Sequence, residues 1–164
     1  MRLVFEELSE EFLPEVLSIY TYYVLNSTAT FHAHVLSLDE MREIVFFDSP
    51  KYKTYLIKSD ASVCGYVLLT QYKKREAYDK TAEVTIYLKP ECVGQGIGGK
   101  AVKFIEDIAV KQKLHVLVAV ICGENSGSIN LFERNGYEKC AHYKEVGMKF
   151  GKRLDIVAYQ KIIS

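Results

Sequence analysis

Apolar positions along this chain fall into two rhythms, one of period two and one near 3.6, and they change over at polar or glycine-rich breaks. Leu3, Phe5 and Leu8 in an otherwise acidic stretch predict a first strand. From Pro14 onward, Val16, Leu17, Tyr20 and Val24 share one helical face, and the polar run Asn26-Ser27-Thr28-Ala29-Thr30-Phe31 stops the helix. A second helix begins at Leu38-Asp39-Glu40-Met41 and fades near Asp48-Ser49-Pro50. Tyr55–Lys58 and Val63–Tyr72 predict a hairpin turning at Ser59-Asp60-Ala61-Ser62. Thr81–Lys89 alternates cleanly, with Ala82, Val84, Ile86 and Leu88 on one face and Glu83, Thr85 and Tyr87 on the other. Lys100–Lys113 predicts a helix with the stripe Ala101, Phe104, Ile105, Ile108 and Ala109. Leu114–Cys122 is valine-rich and almost wholly apolar, which predicts a central parallel strand buried on both faces. Asn125 opens a short helix through Ile129, Leu131 and Phe132 that Gly136 closes, and Tyr143–Met148 with Leu154–Ile162 predict a last hairpin around Phe150-Gly151-Lys152-Arg153. Strands and helices thus interleave in an α/β chain with a mixed sheet, a single domain over residues 1–164.

Composition narrows the function. Lys plus Arg and Asp plus Glu both number 21, so net charge is zero and nothing favours nucleic acid or an anionic membrane electrostatically. No apolar run approaches the roughly 18 residues of a membrane span, and the first residues meet acid too early for a signal peptide. Cys64, Cys92, Cys122 and Cys140 lack metal or redox spacing and predict reduced thiols in the cytoplasm. His32 and His34 alternate without a third ligand-spaced partner, so no metal is expected.

Candidate chemistry gathers around Val93-Gly94-Gln95-Gly96-Ile97-Gly98-Gly99-Lys100, between the Thr81–Lys89 strand and the following helix. Glycines bring backbone N–H groups close to a ligand, and a helix start adds unpaired donors and partial positive charge, so this unit predicts a phosphate cradle. Gly94, Gly96 and Gly99 spell a dinucleotide fingerprint, but about 20 residues on stands the start of an apolar run rather than an acid. Gly94, Gly99 and Lys100 suggest a P-loop, but Ala101 stands where Ser or Thr would hold magnesium. Upstream, Glu83 on the polar face of its strand, flanked by Thr85 and Tyr87, is a candidate general base whose pKa half-burial would raise. Lys73-Lys74-Arg75-Glu76-Ala77-Tyr78-Asp79 is a charged loop just before that strand, and either a solvated face or a pocket for an anion would account for it.

Element order, the Gly-x-Gly at Gly96 and Gly98, and Asn125-x-x-Ser128-x-x-Leu131-Phe132-x-x-x-Gly136-Tyr137 together resemble the GNAT N-acetyltransferases. Five further segments are similar to the phosphinothricin and methionine sulfoximine acetyltransferase branch. They are Ile19-Tyr20-x-x-Tyr23, Asn26 to Phe31, Arg75-x-Ala77-Tyr78-Asp79, Glu83-x-Thr85-x-Tyr87 and Val118 to Ile121; the terminal Lys149-x-Gly151 followed by Asp155 fits too.

The resemblance implies an acyl-CoA N-acyltransferase fold of about seven strands and four helices. It implies acetyl transfer from acetyl-CoA to the amine of a small amino-acid-like molecule, by a homodimer. Gly94, Gln95, Gly96, Ile97, Gly98 and Gly99 would hold the pyrophosphate, the backbone of Ile86, Tyr87 and Leu88 would pair with the pantetheine arm, and Asn125 would contact the cofactor beyond. Glu83 would be the base, and Phe31, Lys73, Arg75, Tyr78 and Thr85 would line the acceptor pocket. Val93 stands where the loop usually has Arg or Gln, and Phe132 stands where a tyrosine or histidine acid is usual, which leaves the group that protonates the CoA thiolate unassigned. An acetyl-CoA sensor without catalysis, an enzyme acting on polyamines or peptide N-termini, and a covalent route through Cys92 remain as alternatives.

Overall fold

The computed structural model describes residues 2–164. Among them seven strands form one sheet: β1 (Leu3–Glu7), β2 (Lys53–Ser59), β3 (Ser62–Gln71), β4 (Thr81–Leu88), β5 (Val116–Cys122), β6 (Glu138–Lys149) and β7 (Lys152–Ile162). Their order across the sheet is β1-β2-β3-β4-β5-β7-β6. The helices are α1 (Leu13–Asn26), α2 (Leu38–Val45), α3 (Ile97–Lys111) and α4 (Ser126–Arg134). Strand β4 pairs with β5 in parallel, and the other neighbouring pairs are antiparallel.

Alternation along the strands divides the core in two. On β3, Val67 and Leu69 join Ile97, Ala101, Val102 and Ile105 of α3 and Phe132 of α4 on one face. Tyr66 and Leu68, from the same strand, join Leu13, Val16, Ile19, Tyr20 and Val24 of α1 and Met41 and Val45 of α2 on the other. A capping box starts α2: Glu40 N–H donates to Ser37 Oγ at 3.1 Å, and Ser37 N–H donates to Glu40 Oε1 at 2.9 Å.

Three elements differ from the sequence-based expectation. Helix α3 starts at Ile97 rather than Lys100, because the last glycines of the loop already adopt the helical turn. Strand β5 is not buried on both faces: Val120 is 46% exposed, since the parallel partner covers only the first part of the strand. Strand β6 begins at Glu138, five residues before the expected start, and skips register between Tyr143 and Gly147. There β6 spends four steps where β7 spends two, from Ile156 to Leu154, and Glu145 takes up a positive φ of 57°. The hairpin itself turns on two residues, Phe150 and Gly151, at φ 53° and 71°, the paired left-handed conformation that tight hairpins use.

Candidate active site

A fork in the sheet creates the main cleft. Strands β4 and β5 are paired at Thr81↔Val116, Ala82↔Leu117 and Glu83↔Val118, and then part. Strand β5 stays zipped to β7 as far as Cys122↔Ile156, while β4 stays zipped to β3 as far as Leu88↔Gly65. Lys89 N–H donates to Cys64 O at 2.7 Å. Backbone groups in an antiparallel ladder alternate sides, so counting back by twos turns Tyr87, Thr85 and Glu83 toward β3 and turns Leu88, Ile86 and Val84 toward the gap. The Tyr23 hydroxyl donates to Leu88 O from the gap side, in keeping with that count. The gap is a cavity of about 320 Å³, walled by Thr85, Ile86, Tyr87 and Leu88 on one strand and Ala119, Val120 and Ile121 on the other, with Asn125, Ser128, Leu131 and Phe132 from the α4 end. A free strand edge facing an apolar slot can accept an extended, amide-bearing chain as an added strand.

At the far end of β4 the chain enters the glycine loop. Gly94 and Gly96 sit at φ 81° and 79°, where a side chain is strained. Gly96 is the N-cap of α3, no side chain caps the helix, and its first turn carries no acid. Ile97 is buried, so its side chain serves the core and only its N–H is available to a ligand. The N–H groups at the start of α3 therefore lack a carboxylate or hydroxyl of this chain, which suits a phosphate. A Cβ on Gly98 would lie 3.1 Å from Leu131 Cδ2, so that glycine also lets α3 approach α4. The Gln95 side chain turns back to donate to Glu91 O at 2.9 Å, leaving only backbone to offer. Asn125 Oδ1 accepts from Ser128 N–H at 3.2 Å and so caps α4, while the residue also lines the cavity.

Glu83 is the last residue of β4 still paired with β5, which places it at the apex of the fork. Burial raises its pKa above the ordinary carboxylate value, with no other cause at work. Tyr87, on the same strand face, packs edge-on to Tyr20 with centroids 5.5 Å apart, and burial raises its hydroxyl too.

The residues expected around the acceptor do not share the cavity's lining: Phe31, Lys73, Arg75, Tyr78 and Glu83 lie outside it, whereas Thr85 belongs to it. Lys73 and Tyr78 are exposed and form their own cluster, with Lys73 Nζ 5.4 Å from the Tyr72 ring and 5.6 Å from that of Tyr78. Arg75 is exposed, immediately before a short 3-10 turn at Glu76–Tyr78. The Asn26 to Phe31 stretch is both a well-packed loop and part of the cleft. Ser27 Oγ accepts from Ala29 N–H at 3.1 Å, Thr28 bonds Glu124 Oε1 at 2.6 Å, and buried Thr30 bonds the Tyr20 hydroxyl, while Ala29 lines the cavity.

Tyr23, Ala29, Val93, Ser128 and the β5 residues were not singled out as site residues by their sequence. Tyr23 belongs to the Ile19-Tyr20-x-x-Tyr23 segment that carries the resemblance, but on the core-facing stripe of α1 a tyrosine reads as packing, and its hydrogen bond to Leu88 and its place in the cavity lining mark it as a site residue. Cys92, the candidate for a covalent route, is a poor nucleophile: burial and the neighbouring Cys64 push its thiol up to about 11.

The sequence model of one family, described as Acetyltransferase (GNAT) family, matches residues 7–137. An L-methionine sulfoximine/L-methionine sulfone acetyltransferase of Pseudomonas aeruginosa is 33% identical over 152 residues, covering 90% of this chain and 87% of that protein. A phosphinothricin N-acetyltransferase of Streptomyces coelicolor is 29% identical over 157 residues, covering 93% and 91%. The crystal structure of a phosphinothricin acetyltransferase from Sinorhizobium meliloti in complex with AcCoA superposes with a TM-score of 0.93 at 27% identity, covering 99% of this chain and 89% of that one.

Proposed function

Because this chain belongs to the acetyltransferase (GNAT) family, we propose that it moves acetyl from acetyl-CoA directly to the amine of a small amino-acid-like acceptor of the methionine sulfoximine or phosphinothricin type. The observation that carries this reading is the fork: a half-buried carboxylate stands at its apex, a free β4 edge runs on from there, and an uncapped α3 start follows in the chain. The N–H groups from Gly94 to Gly99 hold the pyrophosphate, the gap-facing backbone of Ile86 and the N–H of Leu88, whose carbonyl Tyr23 already occupies, pair with the pantetheine amides, and Asn125 closes the far side. Named relatives acting on methionine sulfoximine and phosphinothricin support the acceptor class.

An ammonium cannot attack a thioester. Glu83, through a bridging water, takes one proton from the acceptor's ammonium; its raised pKa makes it a stronger base than an ordinary carboxylate. The freed amine bonds to the thioester carbon, the carbon–sulfur bond breaks, and the second nitrogen proton ends on sulfur, giving the amide and CoA thiol. Free N–H groups of β4 are the donors available to the charge that develops on the carbonyl oxygen. Arg75 and Lys73, both exposed and outside the ion pairs of the described residues, supply the charge that selects an anionic or zwitterionic acceptor. The two core clusters share one sheet, which supports a single catalytic domain. The apolar Tyr143, Val146 and Met148 exposed on edge strand β6 support a homodimer. Cys64, Cys92, Cys122 and Cys140 are free thiols, in keeping with the cytoplasm, and no described helix is long and apolar enough to cross a membrane.

Thiol release from acetyl-CoA over a panel of methionine sulfoximine, phosphinothricin, spermine and a peptide amine tests the reading. Turnover of the first two is expected, and preference for spermine or the peptide overturns it. Calorimetry should give binding with acetyl-CoA and none with NAD. Acetyl-CoA binding without thiol release on any amine would mark a sensor instead. Sedimentation should give a dimer, and a monomer at high micromolar concentration would remove that element of the proposal.

A further inference from the structure

Lys149, near the end of β6, is a buried cation, 4% exposed, outside the ion pairs of the described residues. Such a group is costly unless its donors are used. Lys149 Nζ donates to Ser27 O at 2.7 Å and to Thr30 O at 2.8 Å, and lies 5.1 Å from the centroid of the Phe150 ring. One side chain thus satisfies two backbone carbonyls of a loop more than a hundred positions away in sequence.

Two residues earlier, on the same face of the strand, stands Gly147. A Cβ built there would lie 2.3 Å from Phe31 Cε2, 2.9 Å from Cδ2 and 3.0 Å from Cζ. The Phe31 ring therefore lies on the bare glycine, and any side chain at 147 must displace it. Glycine is needed here for space. The register skip just before Gly147 is what delivers the strand to this spot.

We propose that the end of β6, through Gly147 and Lys149, sets the position of the Ser27–Phe31 loop and with it the size of the acceptor pocket. Lys149 is a positioning residue that fixes the loop at both ends, and Gly147 determines specificity by deciding how far the Phe31 ring reaches inward. This rests on the acceptor reading above, in which Phe31 is a pocket wall. The acetyl-CoA side depends on β4 and α3 instead, so the two variants should divide binding of donor from binding of acceptor.

Lys149→Met keeps the apolar stem and removes the donors. It should raise KM for methionine sulfoximine roughly tenfold or more, the usual scale for hydrogen bonds to a charged group, with acetyl-CoA affinity by calorimetry nearly unchanged. Gly147→Ala should change the ratio of kcat/KM between methionine sulfone and a bulkier α-amino acid. A double-mutant cycle gives the sharpest test: once Phe31→Ala has removed the ring, Gly147→Ala should have no further effect on that ratio. The same ratio change with and without the ring overturns Gly147's role, as does no change at all. Hydrogen exchange of the Ser27–Phe31 amides, measured without acceptor, should rise in Lys149→Met; unchanged protection overturns the positioning role. A wild-type protein that turns over no amine would refute the acceptor reading instead, and the exchange experiment separates that failure from this one.

Discussion

The two sides of the fork are made of different material. On the donor side, the free edge of β4 and the start of α3 present backbone N–H and C=O groups, while the side chains of Ile97, Gln95 and Asn125 are occupied with the core, a local turn and a cap. The residues proposed for the acceptor, Phe31, Lys73, Arg75 and Tyr78, come from two separated loops outside the cavity lining, and there side chains would do the recognising. Backbone groups are the same whatever the residue, so the donor side depends on conformation and tolerates substitution. An acceptor side built this way would depend on the identity and reach of each side chain, so it would change substrate without disturbing the cofactor.

The largest break should come where the two sides meet. Glu83→Gln is expected to lower kcat about 100-fold or more, the usual scale of general-base catalysis, while calorimetry still finds acetyl-CoA bound. Full turnover across neutral to alkaline pH would remove Glu83 from the mechanism. Next in size is Arg75→Ala, which should raise KM for the acceptor by an amount worth about 1.5–3 kcal/mol and leave kcat nearly intact. Unchanged kinetics would place the charged loop outside the pocket.

Gly96→Ala probes the donor side through conformation. A residue held at φ 79° costs about 1–2 kcal/mol without glycine, which for a chain of this length lowers Tm by roughly 2–4 °C per kcal/mol. Acetyl-CoA binding should weaken with it, since the loop's N–H groups turn with that residue. Unchanged Tm and affinity would contradict the backbone account.

Acidity gives a smaller and signed effect. Burial raises Glu83, so its protonated form is favoured in the folded protein. Stability therefore falls as pH rises from the ordinary carboxylate value through the raised one, and the penalty is complete above it. Activity moves oppositely, because the base works only when ionised. At pH 7, Glu83→Gln should melt slightly higher than the parent protein while being nearly inactive, and a lower melting temperature would argue that Glu83 has a stabilising partner. The smallest effect belongs to Gln95→Ala. A side chain that binds only its own turn should alter acetyl-CoA affinity by less than about twofold, the range of a neutral surface change. A tenfold loss would mean that the donor side reads side chains after all.

Much of the unit from β4 through the glycine loop to α3 was legible in the sequence because its signals are local. Period-two alternation assigned Glu83, Thr85 and Tyr87 to one face of β4, and the clustered glycines marked a turn leading into a helix. Family resemblance then named the carboxylate and the loops that would meet the acceptor. Local signals failed where partners lie far apart. The valine-rich β5 reads as a strand buried on both faces, yet its partner leaves after Val118 and exposes Val120. Nothing near position 149 announces that its ammonium seeks the carbonyls of Ser27 and Thr30, and nothing near Gly147 announces the ring of Phe31. Sequence by itself determined which residues alternate, which turns need glycine and where helices start, because those follow from the torsions and hydrogen bonds of neighbours. Only the tertiary structure decided that two strands of one sheet part at Glu83 and that Lys149 of β6 bonds the carbonyls of Ser27 and Thr30, because those depend on the twist and packing of segments far apart in the chain.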